Sequence, residues 1–224
     1  MALQARAEVT RQAIIEAAVD LFEEVGYGDT SLTDIINRAG VTKGAFYYHF
    51  PTKEAVAAAI VDQAETRKRD ALLRLTSSPS SALENLIEVS FVVAEMIEQD
   101  KLVRVGNLLR QALTQVSSAG PGTFHTPSRS LPETVIRNAI AEGDVFDDLD
   151  ADDVMHTLWA AVLGTRLLSD ATGDDVYARL AQVWRVILRG IVPPCSLPYF
   201  QQFLTRMAQQ CTQPDQDASL LNPT

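Results

Sequence analysis

Two short helical segments meeting across a two-residue turn constrain this chain more than any other feature. Ser31-Leu32-Thr33-Asp34 has the S-x-x-D spacing of a capped helix start, and Leu32, Ile35, Ile36 and Ala39 give it one apolar face. Gly40 ends that segment. After Val41, the Thr42 hydroxyl can cap a second helix, Lys43 to His49, before Pro51 breaks the chain. Two short helices around so tight a glycine-containing turn form the helix-turn-helix pattern, whose second helix enters the major groove of duplex DNA.

The rest of the sequence reads as helix throughout, and an all-α fold is expected. Ile14, Ala17, Ala18, Leu21 and Phe22 make one stripe of a first helix, Ala5 to Val25, closed by Gly26. A long helix follows Pro51, from Lys53 to Leu75. After the Ser/Pro punctuation at 76–81, further helices are expected at 82–99, 101–117, 131–142, 151–170, 174–191 and 198–211. A Ser-, Gly- and Pro-rich loop fills 117–132, long enough to be read as functional or mobile. The seven acids between 142 and 153 read as a solvated turn and helix-start charges, since no EF-hand glycine spacing accompanies them. Three regions result: a helix-turn-helix domain over 1–52, a helical domain over 53–212, and a flexible tail over 213–224.

A recognition helix sets its first residues against base edges. Lys43 can reach guanine O6 and N7, Gly44 lets the backbone approach, and Tyr47 lies one turn on along the same face. Ser31, Thr33 and Thr42 offer short hydroxyls to phosphates, and His49 and Lys53 can lean on the DNA backbone. Phe46 and Phe50 are read as anchors, and Tyr48 as core. Residues 1–53 hold five bases and seven acids, within a chain of net charge −10, so few phosphate contacts and a modest salt dependence are expected.

The stretch Thr30 to Glu54, TSLTDIINRAGVTKGAFYYHFPTKE, resembles the N-terminal domain of the TetR family of transcriptional regulators. The Gly-Val-Thr-Lys-Gly-Ala opening, His156-Thr157-Leu158, Gly164-Thr165-Arg166 and Ile187 to Pro193 resemble the gamma-butyrolactone autoregulator receptors of streptomycetes, which repress antibiotic-biosynthesis and morphological genes. The resemblance implies operator contacts at Thr42, Lys43, Gly44, Tyr47 and Lys53. The acidic pI, about 4.7, resembles that of hormone receptors rather than basic pseudo-receptors. One departure stands out. Residues 125–131, His-Thr-Pro-Ser-Arg-Ser-Leu, lack the tryptophan such receptors are expected to hold over the lactone, which points to a butenolide, furan or other ligand.

Helix 151–170 carries two apolar stripes, Val154/Leu158/Val162/Thr165 and Met155/Trp159/Leu163/Leu167, so it is sandwiched. Ala160 and Gly164 permit close approach, and with 174–191 they suit an isologous homodimer that matches a palindromic operator. A pocket among helices 53–75, 82–99, 101–117 and 151–170 would take a small signalling molecule. Gln63, Gln111, Trp159 and Thr165 are its candidate residues, with Asn107 beside them. The expected protein is a cytoplasmic, ligand-released repressor whose partners are double-stranded operator DNA, a small-molecule ligand and a second copy of itself.

No apolar run reaches the length of a membrane span, the start lacks a signal-peptide core, and Cys195 and Cys211 fit a reducing compartment. No cofactor, metal or catalytic residue is expected, because His49, His125 and His156 join no nucleophile or ligand cluster. A non-binding adaptor would be expected to lack Lys43 or Gly44. A multidrug-efflux repressor of the same family is the alternative, and the 7% aromatic content weighs against its broad aromatic pocket.

Overall fold

The computed structural model describes residues 2–76, 80–116 and 134–212. Ten helices follow in order: α1 (Ala2–Glu24), α2 (Leu32–Ala39), α3 (Lys43–His49), α4 (Lys53–Thr76), α5 (Ala82–Gln99), α6 (Lys101–Val116), α7 (Thr134–Ala141), α8 (Ala151–Thr172), α9 (Val176–Ile191) and α10 (Leu197–Thr212). No strand occurs among the described residues. The all-α expectation holds, with ends shifted by a few residues: α1 starts at Ala2 and α8 runs on to Thr172. The loop at 117–132 with His125, the tail at 213–224 and the Gln111 side chain lie outside the described residues.

The chain packs as two compact units. One holds the residues up to Arg69 together with those from Met96 through α6; the other holds Asp70–Glu95 and the helices from α7 onward. The first unit is centred on Ile14, Ile15 and Phe22 of α1, Ile35, Phe46, Phe50, Val56 and Ile60, closed by Leu102, Val105 and Leu109 of α6. The second gathers Leu83, Ile87 and Phe91 of α5, Ile136, Leu158, Trp184, Leu188 and Phe200. Trp184 is 1% exposed. Its indole Nε1 donates to Ser90 Oγ at 2.8 Å, and Ser90 Oγ donates to Ile87 O at 2.6 Å, so the polar edge of the largest core residue is satisfied.

The acidic stretch before α8 has a structural use. Asp150 caps α8, accepting from Asp152 N and Asp153 N at 2.9 and 3.0 Å, and Glu142 accepts from Ala82 N at 2.8 Å near the start of α5. Of the two stripes expected on α8, Val154, Met155, Leu158 and Thr165 are buried, and Leu167 is exposed beside Leu168. No described helix is long and apolar enough to cross a membrane.

Candidate nucleic-acid interface

Local caps hold the two short helices in place. Ser31 Oγ accepts from Asp34 N at 3.1 Å while Ser31 N donates to Asp34 Oδ2 at 2.9 Å, the reciprocal capping box the sequence announces. At the other end of α2, Gly40 has φ 63°. Its N–H bonds Asn37 O and that of Val41 bonds Ile36 O, a Schellman closure that needs a left-handed residue at position 40. Thr42 Oγ1 then accepts from Ala45 N at 3.1 Å and starts α3. Phe46 and Phe50, both buried, pin α3 to α1 and α4.

This pinning turns the other side of α3 outward. Lys43, Gly44, Tyr47 and Tyr48 are exposed, and a Cβ added at Gly44 would meet nothing within 4 Å. The Lys43 ammonium lies 6.0 Å from the centre of the Tyr47 ring. Tyr48, expected in the core, is 79% exposed. The reason is geometric: two positions past Phe46 is about 200° around a helix, opposite the buried face. Its ring meets His49 edge-on at 4.9 Å, and His49 is half-buried. Ser31, Thr33 and Thr42 are exposed as well.

Lys53, expected to lean on the DNA backbone, is also engaged within the chain. Its Nζ donates to Tyr27 O at 2.8 Å, Thr30 O at 2.9 Å and Gly28 O at 3.5 Å, and sits 4.4 Å from the centre of the Tyr27 ring. All three ammonium donors point at carbonyls of the segment between α1 and α2. The Tyr27 hydroxyl donates to Glu54 at 3.2 Å, and burial together with that carboxylate pushes its pKa up to about 12. Lys53 is thus a clamp between α4 and the start of the helix-turn-helix.

The charge balance read from residues 1–53 also changes, because α6 packs on α1. Lys101 pairs with Asp20 at 2.8 Å and Glu23 at 3.1 Å, Arg104 pairs with Glu23 at 2.7 Å, and Arg38 forks onto Glu24 at 2.8 and 3.0 Å. These partners hold Glu23 and Glu24 below the usual carboxylate range: the Arg104 hydrogen bond acts on Glu23 and the Arg38 fork on Glu24. Three acids of α1 therefore face cations within their own unit. A second α6 contact went unnoticed in the sequence. A Cβ on Gly106 would lie 2.5 Å from the Ala64 Cβ, so α6 rests directly on α4.

The other expected site residues are less gathered. Gln63 is half-buried and its amide donates to Gln12 Oε1 at 3.4 Å, a contact between α4 and α1. Asn107 is buried and accepts from Arg110 at 3.2 Å. Thr165 is buried, with its hydroxyl returned to Ala161 O at 2.7 Å. Trp159 is half-buried against the second core. Ala160 is exposed, and the space beside Gly164 is open to 4 Å. No three His, Cys, Asp or Glu side chains gather as a metal site among the described residues.

Comparison with known proteins agrees with this geometry along most of the chain. Residues 14–60 match the model of bacterial regulatory proteins of the tetR family, and residues 80–193 match the tetracyclin repressor-like C-terminal domain. The A-factor receptor protein of Streptomyces griseus is 30% identical over 87% of this chain and 68% of its own length. A probable acrEF/envCD operon repressor of Escherichia coli K12 is 28% identical over 86% of this chain and 92% of its own. Among solved structures, a gamma-butyrolactone receptor superposes with a TM-score of 0.75 at 34% identity, covering 92% of this chain and 99% of that one. CprB of Streptomyces coelicolor in complex with its operator does so at 0.71 and 35%, with the same coverage. A capped helix pair with an exposed Lys-Gly-x-x-Tyr-Tyr face, matched over both halves of the chain, leads to one assignment: this protein belongs to the TetR family of bacterial transcriptional regulators.

Proposed function

We propose that the protein is a repressor that binds a palindromic operator as a homodimer and is released by a small signalling molecule of the gamma-butyrolactone, butenolide or furan class. In this reading it is a cytoplasmic regulator of antibiotic biosynthesis. The observation that carries it is the outward face of α3, Lys43, Gly44, Tyr47 and Tyr48, on a chain related along its length to the A-factor receptor and to operator-bound CprB. Ser31, Thr33, Thr42 and His49 border that face and serve the phosphates. The DNA-binding role falls to residues 1–52, and ligand binding and dimerisation to 53–212.

Dimerisation is assigned to the outer faces of α8 and α9. Leu167, Leu168 and Val186 are exposed there, and Ala160, Gly164 and Gly190 leave room for a second backbone. Trp159 and Thr165 are proposed to flank the ligand. Gln63 and Gln111 keep that proposed role on α4 and α6, Gln63 by exchanging its Gln12 contact. Release requires the ligand to prefer the form that does not fit the operator, because equal affinity for both forms shifts nothing. The α6 contacts to α1 and α4 are the route by which a displaced α6 would reach α3.

Fluorescence anisotropy with a labelled palindromic operator tests the reading. Lys43→Ala is expected to weaken binding by about 1–3 kcal/mol and to relax discrimination at one guanine per half-site. Operator must weaken binding of a 2-acyl-gamma-butyrolactone by the factor with which the lactone weakens operator binding. Unchanged affinity and sequence preference in Lys43→Ala would refute the recognition helix. A stable monomer at micromolar concentration in sedimentation would refute the homodimer. An efflux repressor is the second reading, favoured by the similarity to the acrEF/envCD repressor; release by many unrelated dyes and antiseptics would favour it.

A further inference from the structure

Among the described residues, Lys68 is the one charged residue that is buried, at 8% exposure. It lies on α4, and its Nζ donates to Glu65 Oε1 at 2.6 Å. An ammonium has three N–H donors, and that oxygen is the one acceptor they meet among the described residues. The same oxygen is 3.8 Å from Arg110 Nε, and Arg110 Nη2 donates to Oδ1 of the buried Asn107 at 3.2 Å. The cluster exists because Gly106 lets α6 rest on Ala64 of α4, which sets Asn107 and Arg110 beside the next turn, Glu65 and Lys68.

Burying an ammonium is costly unless its donors are matched. Lys68 shows the strain of it: burial holds its pKa below the ordinary lysine range, against the opposing pull of the Glu65 bond. A structural ion pair gains nothing from donors left over. A binding site does, because those donors are free to meet an incoming acceptor. The chain as a whole carries −10 and does not draw anions by its overall field, so selection for one has to be local.

Building on the small-molecule reading above, we infer that the ligand is a small apolar acid and that Lys68 receives its carboxylate. A carboxylate brings two acceptor oxygens and a charge to the unused donors, where a lactone carbonyl brings one neutral oxygen. Charge-assisted hydrogen bonds are the stronger kind. Glu65 orients the ammonium, and Asn107 and Arg110 form the adjoining polar wall.

Octanoate and octanamide are suitable probes, equal in size and differing in charge, with 2-hexanoyl-gamma-butyrolactone as the neutral lactone. The full-length protein is titrated with each by calorimetry, and operator release is followed in parallel. Octanoate is expected to bind the wild type at least about 10-fold more tightly than octanamide, a difference of about 1.4 kcal/mol. Lys68→Met should reduce that preference to less than about 2-fold, and Lys68→Arg should restore it. As pH is raised toward the lowered pKa of Lys68, octanoate binding to the wild type should take up protons, because the carboxylate raises the affinity of Lys68 for its proton. This readout stands even if the Met variant folds poorly. Octanamide or lactone binding as tightly as octanoate, a preference that survives in Lys68→Met, or no saturable octanoate binding overturns the inference. Lactone that releases operator while octanoate fails to bind overturns the inference alone, whereas a wild type that binds no operator overturns the repressor reading.

Discussion

The helix-turn-helix and the core around Trp184 solve the same problem by opposite means. From Ser31 to Phe50 the backbone is fixed by partners at most five residues away: Ser31 with Asp34, Gly40 and Val41 with Asn37 and Ile36, Thr42 with Ala45. Around Trp184 the deciding contacts are long-range, such as its bond to Ser90, 94 residues earlier. The first region is shaped by caps and presents its functional side chains to solvent. The second is shaped by packing and keeps its polar groups inside.

Deleting the central aromatic of each core probes the comparison most severely. Phe46→Ala and Trp184→Ala should each cost about 3–5 kcal/mol, and the latter also removes the N–H that donates to Ser90 Oγ. Hydrogen exchange should rise mainly in α1–α3 for the first and in α5, α8 and α9 for the second. A uniform rise across all helices in both variants would mean that the two cores open as one, and the contrast would fail.

Lys53→Met comes next. Losing three charge-assisted bonds to carbonyls should destabilise the first unit by about 1.5–3 kcal/mol. The slope of operator affinity against salt should stay unchanged, because the ammonium faces protein. A flatter slope with unchanged melting would return Lys53 to the phosphate role. Gly106→Ala is expected to cost about 1–3 kcal/mol by driving a methyl into Ala64, whereas Gly164→Ala, beside open space, should leave the fold of the single chain unaltered. Equal melting of the two variants would contradict the close approach of α6 and α4.

The smallest effect belongs to the caps. Ser31→Ala should cost about 1 kcal/mol. It should also change the acid limb of stability. Hydrogen bonds from the Ser31 side chain and N–H hold Asp34 below the usual carboxylate range. A lowered carboxylate stabilises the fold above its unfolded pKa, and that contribution disappears as pH falls through the folded value. Below that value the wild type and Asp34→Asn should converge in thermal melts. A gap that widens toward acid would reverse the sign of this contribution.

How far the sequence could be read follows from the same contrast. Ser31, Gly40 and Thr42 announce their roles because each acts on neighbours within a turn. The outward side of α3 was legible for Tyr47, and Phe46 with Phe50 held enough information to turn Tyr48 outward too. The internal partners of Lys53 were not legible because its acceptors lie 23 to 26 residues away, on a segment with no regular period. Two of the cations paired with α1, Lys101 and Arg104, come from α6, 81 residues on from Asp20 and Glu23, so a local charge count could not include them. Gly106 carried no signal either: what makes it matter is Ala64 on another helix. Lys68 looks like any helix lysine until its burial is known.

The closure at Gly40 has a consequence for how such a chain can diversify. With Gly40 N–H on Asn37 and Val41 N–H on Ile36, one added or deleted residue between Ala39 and Thr42 would break both bonds and swing α3 out of register with α2. Lineages descended from this sequence can therefore rewrite the letters of the segment but not its length. With α3 as the proposed recognition helix, new operator preferences would arise by point substitution at positions 43, 44, 47 and 48, where side chains change without disturbing the core.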